Sequence, residues 1–154
     1  MTLEQGGPPA LGEDNLSDPW SSPIIRRIQH GFSPVLVADQ SYWDANKSSN
    51  ANGDWPSSIP TIAKGAMRTT NLIIFNDTFS GTSIDVTWEV HADSPTGAVA
   101  SSATVKIDVP LASSTSKSIT MTAPASGTKC YLVLRAAKNG TALFEETDEA
   151  FTLQ

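Results

Sequence analysis

Cys130 is the only cysteine in this chain, so no disulfide can form within it and no cysteine cluster can hold a metal. Histidine is nearly as scarce. His30 and His91 lie far apart, and neither belongs to a ligand spacing that suits zinc. There is no phosphate-binding glycine loop and no calcium loop, so no cofactor is expected. Basic residues are in deficit: 10 Lys and Arg face 16 Asp and Glu, for a formal net charge of −6. Affinity for nucleic acid comes mostly from cations meeting phosphates, so neither nucleic acid nor an anionic membrane is an expected partner. No apolar run approaches the ~20 residues of a membrane-spanning helix. The first residues, MTLEQGGPPALGEDNLSDP, lack the basic start and apolar stretch of a signal peptide. The compartment is left open by this reading.

What is present points to β-structure. The chain is 39% hydrophobic and only 17% charged, with heavy use of Ser, Thr and Ala. That balance suits sheet surfaces better than the Lys- and Glu-rich faces of solvated helices. The organising stretch is Asn71 to Ala92. An apolar run, Leu72-Ile73-Ile74-Phe75, reads as a strand buried on both faces and ends at the turn-forming Asn76-Asp77. Then Ile84, Val86, Trp88 and Val90 alternate with Asp85, Thr87, Glu89 and His91. Period two places the apolar set on one face of a strand, with Trp88 filling the space between two sheets, and leaves His91 on the solvent side.

Residues 1–19 read as a flexible leader or linker. Ser21 to Gly31 carries a helix signature: Ser22 to cap, Pro23 at the first position, Ile24 and Ile28 on one face, Gly31 to stop. Phe32 to Asp39 reads as a first strand. A stretch of 19 residues, Gln40 to Ser58, reads as a long loop. Residues 59–68 form a connector or short edge strand. Further strands are expected over Ala98–Pro110, Ser116–Thr122, Lys129–Ala137 and Thr141–Leu153, punctuated by Pro, Gly and Asn. For the last hairpin two registers compete. A two-residue Asn139-Gly140 loop would set Glu145 opposite Leu134, on an inward face. A three-residue Lys138-Asn139-Gly140 loop pairs Ala137 with Thr141 and sets Phe144 opposite Leu134, so apolar matching favours the longer loop, with Gly140 at positive φ. Phe144 and Phe151 have opposite parity, which calls for a bulge within Glu145 to Ala150.

No catalytic constellation stands out. The acidic run Glu145 to Glu149 reads as a solvated face, because glycoside hydrolysis needs two carboxyls facing each other across a gap. His30-Gly31-Phe32-Ser33-Pro34 lacks the second glycine of a nucleophile elbow. Asn-x-Ser/Thr triplets stand at Asn15, Asn46, Asn76 and Asn139. The most suggestive residues are in the long loop: Tyr42, Trp43, Asp44, Asn46, Asn50, Asn52, Asp54 and Trp55. Indole and phenol rings stack on sugar C–H faces while amides and carboxylates bond sugar hydroxyls, so this loop has the chemistry of a glycan contact and is the expected place of any partner. The same rings would equally serve to anchor the loop or to seal a contact with another domain.

Two segments carry a family likeness. NLIIFNDTFSGTSIDVTWEVHA (71–92) and KCYLVLRAAKNGTALFEETDEAFTL (129–153) resemble the C-terminal immunoglobulin-like domains of glycoside hydrolases. The likeness is strongest to family 2 enzymes of the β-galactosidase and exo-glucosaminidase type. It covers about two thirds of the chain and rests on Phe75-Asn76-Asp77, the Trp88 strand and Leu143-Phe144. It implies an all-β, immunoglobulin-like antiparallel β-sandwich of about seven strands with a short N-terminal helix and a long aromatic loop. The expected organisation is a leader (1–19), a segment with the helix, first strand and aromatic loop (20–58), and the sandwich proper (59–154). In that setting residues 20–60 would lead from a preceding catalytic barrel into the accessory domain. The barrel's acid and nucleophile have no counterpart in these residues, so no catalytic residue is carried over. The expected role is a non-catalytic accessory module that packs on a glycoside hydrolase catalytic domain and contacts a polysaccharide or oligosaccharide. The alternatives are a freestanding carbohydrate-binding module and a protein-interaction or adhesion domain.

Overall fold

The structure, a computed structural model, describes residues 32–40, 61–79 and 81–154. One compact unit runs from Pro34 to Gln154. The described residues contain eight strands: β1 (Val35–Asp39), β2 (Thr61–Ile62), β3 (Met67–Asn76), β4 (Thr82–Ala92), β5 (Val99–Val109), β6 (Ser113–Thr122), β7 (Lys129–Lys138) and β8 (Thr141–Leu153). They form a three-stranded sheet in the order β1-β3-β6 and a five-stranded sheet in the order β2-β8-β7-β4-β5. Consecutive strands lie in different sheets after β1, β2, β3, β5 and β6, and in the same, larger sheet in the β4–β5 and β7–β8 hairpins. All pairings are antiparallel except β2 with β8.

The core lies between the sheets and follows the period-two pattern. Ile84, Val86, Trp88 and Val90 of β4 are buried with Leu132, Leu134 and Ala136 of β7; Val35, Val37, Leu72, Ile74, Ile119 and Met121 come from the smaller sheet. Trp88 sits in the ladder between Ala103 and Leu134 and is 6% exposed. Burying each large apolar side chain contributes about 1.5–3 kcal/mol, so the twofold alternation is what ties these strands into two layers.

Three expectations are corrected by the structure and a fourth is met. First, β3 is not buried on both faces. Leu72 and Ile74 are sealed in the core, but Ile73 is half-buried and Phe75 is 39% exposed, because among the described residues the three-stranded sheet is packed on its inner face only. Second, the strand at Val35–Asp39 pairs with β3 along its whole length and so belongs to the sandwich, ahead of residue 59. Third, the β7–β8 turn has two residues. Lys138 pairs with Thr141, and Asn139 (φ 50°) and Gly140 (φ 79°) both take the left-handed conformation whose twist matches a hairpin. Phe144 still reaches the core, because the register shifts between Ala136 and Ala137: Ala137 pairs with Ala142, Ala136 with Phe144. The bulge at Leu143 restores the inward parity of Phe144, but opposite Ala136 rather than Leu134; Glu145 lies opposite Arg135 and Glu146 opposite Leu134. Fourth, a second shift between Tyr131 and Leu132 takes β8 from Asp148 to Ala150. That is the bulge the opposite parities of Phe144 and Phe151 require, and both rings are buried. The helix signature at 21–31 lies outside the described residues.

Candidate functional site

The residues that sequence chemistry singles out for glycan contact, Tyr42, Trp43, Asp44, Asn46, Asp54 and Trp55, lie outside the described residues, as does Trp20. Of the stretch from Gln40 to Ser58 the structure describes Gln40, whose Oε1 accepts a hydrogen bond from Ser116 Oγ at 3.2 Å. The functional chemistry that can be built from the described residues is in three places.

The first is inside the sandwich. Asp39 shares the parity of Val35 and Val37, and Arg68 and Thr70 share that of Leu72 and Ile74, so all three point inward. Asp39 is fully buried. It accepts a hydrogen bond from the Thr70 hydroxyl, and Arg68 Nη2 approaches its other oxygen at 3.6 Å. The Arg68 guanidinium also lies 4.6 Å from the centre of the Phe151 ring, a cation–π arrangement. Cys130 lies opposite Phe151 in the β7–β8 ladder, and burial pushes its thiol above the ordinary range. Low thiolate content and low access make it a packing residue rather than a nucleophile. Cys130 shares the buried parity of Leu132 and Leu134, whereas the Asp39–Arg68 pair was not anticipated from the sequence.

The second is the outer face of the five-stranded sheet. Arg135 spans three strands: its Nη1 donates to Glu89 at 2.6 Å and its Nε to Glu145 at 2.8 Å. His91 Nε2 meets the same Glu89 oxygen at 2.9 Å, and His91 Nδ1 donates to the Gly97 carbonyl at 2.9 Å. The Arg135 hydrogen bond, helped by His91, holds the Glu89 carboxyl below its usual range. His91 is therefore not the solvent-exposed residue that alternation alone suggests: it is 6% exposed. The cause is the β4–β5 turn, where a register shift follows Val90 and the chain folds back so that the Gly97 carbonyl meets the ring at Nδ1. A Cβ on Gly97 would run into the Ala92 carbonyl oxygen, so glycine is what allows this closure. Each charge in this network is committed to a neighbour.

The third is the opposite face of the molecule together with its rim. The outward positions of β3 and β6 carry Thr69, Asn71, Ile73 and Phe75 beside Ser114, Ser116, Ser118 and Thr120, with Thr69 and Thr120 joined hydroxyl to hydroxyl at 3.2 Å. At one end of this face stands Asn76, fully buried. Its Nδ2 donates to the carbonyls of Val109 (2.9 Å) and Pro110 (3.4 Å), and its Oδ1 accepts from Thr78 N (3.0 Å) and Thr78 Oγ1 (2.6 Å). This clamp joins the β3–β4 and β5–β6 turns, from which Phe79 and Leu111 project into solvent. It also closes the Asn76 triplet to glycosylation, since the amide is internal. Among the described residues no group of three or more His, Cys, Asp or Glu is arranged to hold a metal ion.

No protein-family model matches the sequence, and no curated protein matches it. Solved structures are similar to it in part, and two of them illustrate the likeness. One is a candidate β-galactosidase from Bacteroides fragilis, 11% identical with a TM-score of 0.48, over 59% of this chain and 15% of that one. The other is the alkylpurine DNA glycosylase AlkC of Pseudomonas fluorescens bound to DNA containing an abasic site analog, 11% identical with a TM-score of 0.40, over 61% of this chain and 27% of that one. The matched region thus spans a small part of either protein.

Proposed function

We propose that this chain is an immunoglobulin-like sandwich that acts as a non-catalytic accessory module of a carbohydrate-active enzyme, packing against its catalytic domain. The two segments with the family likeness, 71–92 and 129–153, become β3–β4 and β7–β8. The Greek-key strand order, β1-β3-β6 against β2-β8-β7-β4-β5, supports the immunoglobulin-like reading. The observation that carries the functional reading is where the chemistry goes. The acids and bases that cluster, Asp39 with Arg68 and Glu89 with His91, Arg135 and Glu145, are turned on one another. Meanwhile Phe79 and Leu111 project into solvent from the two turns that the Asn76 clamp joins. Spent charges and presented apolar surface are the endowment of a packing module.

The test is to mix the purified chain with a family 2 glycoside hydrolase from which the C-terminal sandwich has been removed. Co-elution on size exclusion, weakened by Phe79→Ser, is the expected outcome. Failure to associate with any such enzyme, or turnover of chromogenic galactosides or glucosaminides by the chain alone, would overturn the proposal.

A further inference from the structure

We propose that the outer face of the β1-β3-β6 sheet is a contact surface for a neutral polysaccharide. The ligand class rests on the accessory-module reading; the location rests on the face itself. Its outward positions are Leu36 and Ala38 on β1, the odd-numbered residues from Met67 to Phe75 on β3, and the even-numbered ones from Ser114 to Thr122 on β6. None of them is ionisable, in a chain with 10 basic and 16 acidic residues. The outer face of the other sheet is the reverse, carrying Asp85–Lys106 and the Glu89–Arg135–Glu145 network. A surface without charge offers nothing to phosphate, sulfate or uronate groups and imposes no charge-desolvation cost on an uncharged ligand.

The chemistry on the face is graded. At one end Phe75 lies between Leu36 and Ser114, its ring 39% exposed. The next row is Ile73 beside Ser116, and beyond it come Asn71 beside Ser118 and Thr69 beside Thr120. A sugar ring presents C–H groups on its faces and hydroxyls on its rim. An exposed phenyl followed by amide and hydroxyl groups meets both. Same-face residues recur about every 6.8 Å along a strand, and neighbouring strands lie about 4.8 Å apart, so these groups form a flat grid that an extended chain can cross. A protein partner would have to match each of these hydroxyls, whereas a glycan brings its own donors and acceptors at similar density. Gln40 Oε1 accepts a hydrogen bond from Ser116 Oγ on this face.

Affinity electrophoresis of the full chain in gels containing galactomannan, xyloglucan or mixed-linkage β-glucan, with sedimentation on cellulose and chitin, tests the proposal. The expected result is retention by at least one of these polymers. Phe75→Ala and Ser118→Asp should each weaken it roughly tenfold, the scale of one stacking contact, while the melting temperature stays near that of the parent. The double variant Trp43→Ala, Trp55→Ala should retain binding. Indifference to all five polymers overturns the proposal, as does binding that survives both face substitutions or is lost only in the tryptophan variant. Loss of co-elution with a truncated hydrolase in Phe75→Ala and Ser118→Asp, without any glycan binding, would make the face a protein-docking surface and overturn it likewise. A chain that co-elutes with the hydrolase but ignores every glycan refutes this inference and leaves the accessory-module reading standing.

Discussion

Asn76 is the most demanding residue in the structure, because one buried amide serves both turns at the same end of the sandwich. Its NH2 group donates to Val109 and Pro110, and its oxygen accepts twice from Thr78. Asn76→Ala removes all of these. The Thr78 and Pro110 groups are only part-buried and can turn to water, so losing them costs about 1 kcal/mol; depriving the buried Val109 carbonyl of its donor costs about 1–3 kcal/mol more. The sum, about 2–4 kcal/mol, is a large share of the ~5–15 kcal/mol of a typical domain. Asn76→Asp is the sharper probe. It keeps the Thr78 bonds and turns a carboxylate oxygen toward two carbonyl oxygens, so at pH 7 it should be at least as destabilising as Asn76→Ala. The introduced carboxyl can donate only when protonated, so it binds its proton more tightly in the folded state than in the unfolded one. Stability relative to the parent chain should therefore rise as pH falls from 7 toward about 4. Urea melts of the parent, Asn76→Ala and Asn76→Asp across that range measure it. An Asn76→Asp variant as stable as the parent at pH 7, or one whose deficit does not shrink in acid, would refute the clamp.

Other expectations follow from single features. Trp88→Ala should cost about 3–5 kcal/mol in urea melts, since the ring fills the space between the sheets; a loss under about 1 kcal/mol would contradict its placement. Gly140→Val should destabilise by about 1–3 kcal/mol through conformation alone, because a Cβ there meets no atom within 4 Å yet φ is +79°. Gly140→Asn should be far milder, and equal effects would refute the reasoning. Glu89 has a folded-state carboxyl below its ordinary value of 4.5, so its contribution is present above that pH and is lost as the pH falls through the lower folded value. The stability gap between Glu89→Gln and the parent should thus narrow only in that acid range, and a gap independent of pH would show that the Arg135 and His91 contacts contribute nothing.

The strands of the core were legible because burying one face imposes period two, and Ile84 to Val90 obey it without exception. What misled was the assumption that parity is unbroken between turn and core. In β7–β8 apolar matching correctly demanded that Phe144 face inward, but a loop of three residues was only one way to achieve it. The Asn139-Gly140 pair has a strong preference of its own for the tight turn, and a bulge at Leu143 reconciles the two. His91 shows the converse. Its parity was read correctly as outward, yet outward does not mean exposed once a turn folds over the strand, and Gly97 was the sequence signal of that close approach.

The buried ion pair and the uncharged face differ in what would have made them readable. Asp39 follows Val35 and Val37 at period two, and Arg68 precedes Thr70, Leu72 and Ile74 likewise, so extending each alternation by one step puts opposite charges inside the same sheet. The first strand was read through Asp39, but the next was begun at its apolar run, which left Arg68 in the connector, whereas β3 starts at Met67. No such extension finds the face. Its grid is assembled from 35–39, 67–76 and 113–122, three segments whose outward residues become neighbours only through the β1–β3 and β3–β6 registers. A slip of one residue in β6 would turn Ile119 and Met121 out and the serines in, so burial selects the register. Once that register is set, Ser116, Ser118 and Thr120 must lie beside Ile73, Asn71 and Thr69. The core is thus a property of each strand taken alone, whereas the face is a property of their pairing, created by the same burial that hides the other side.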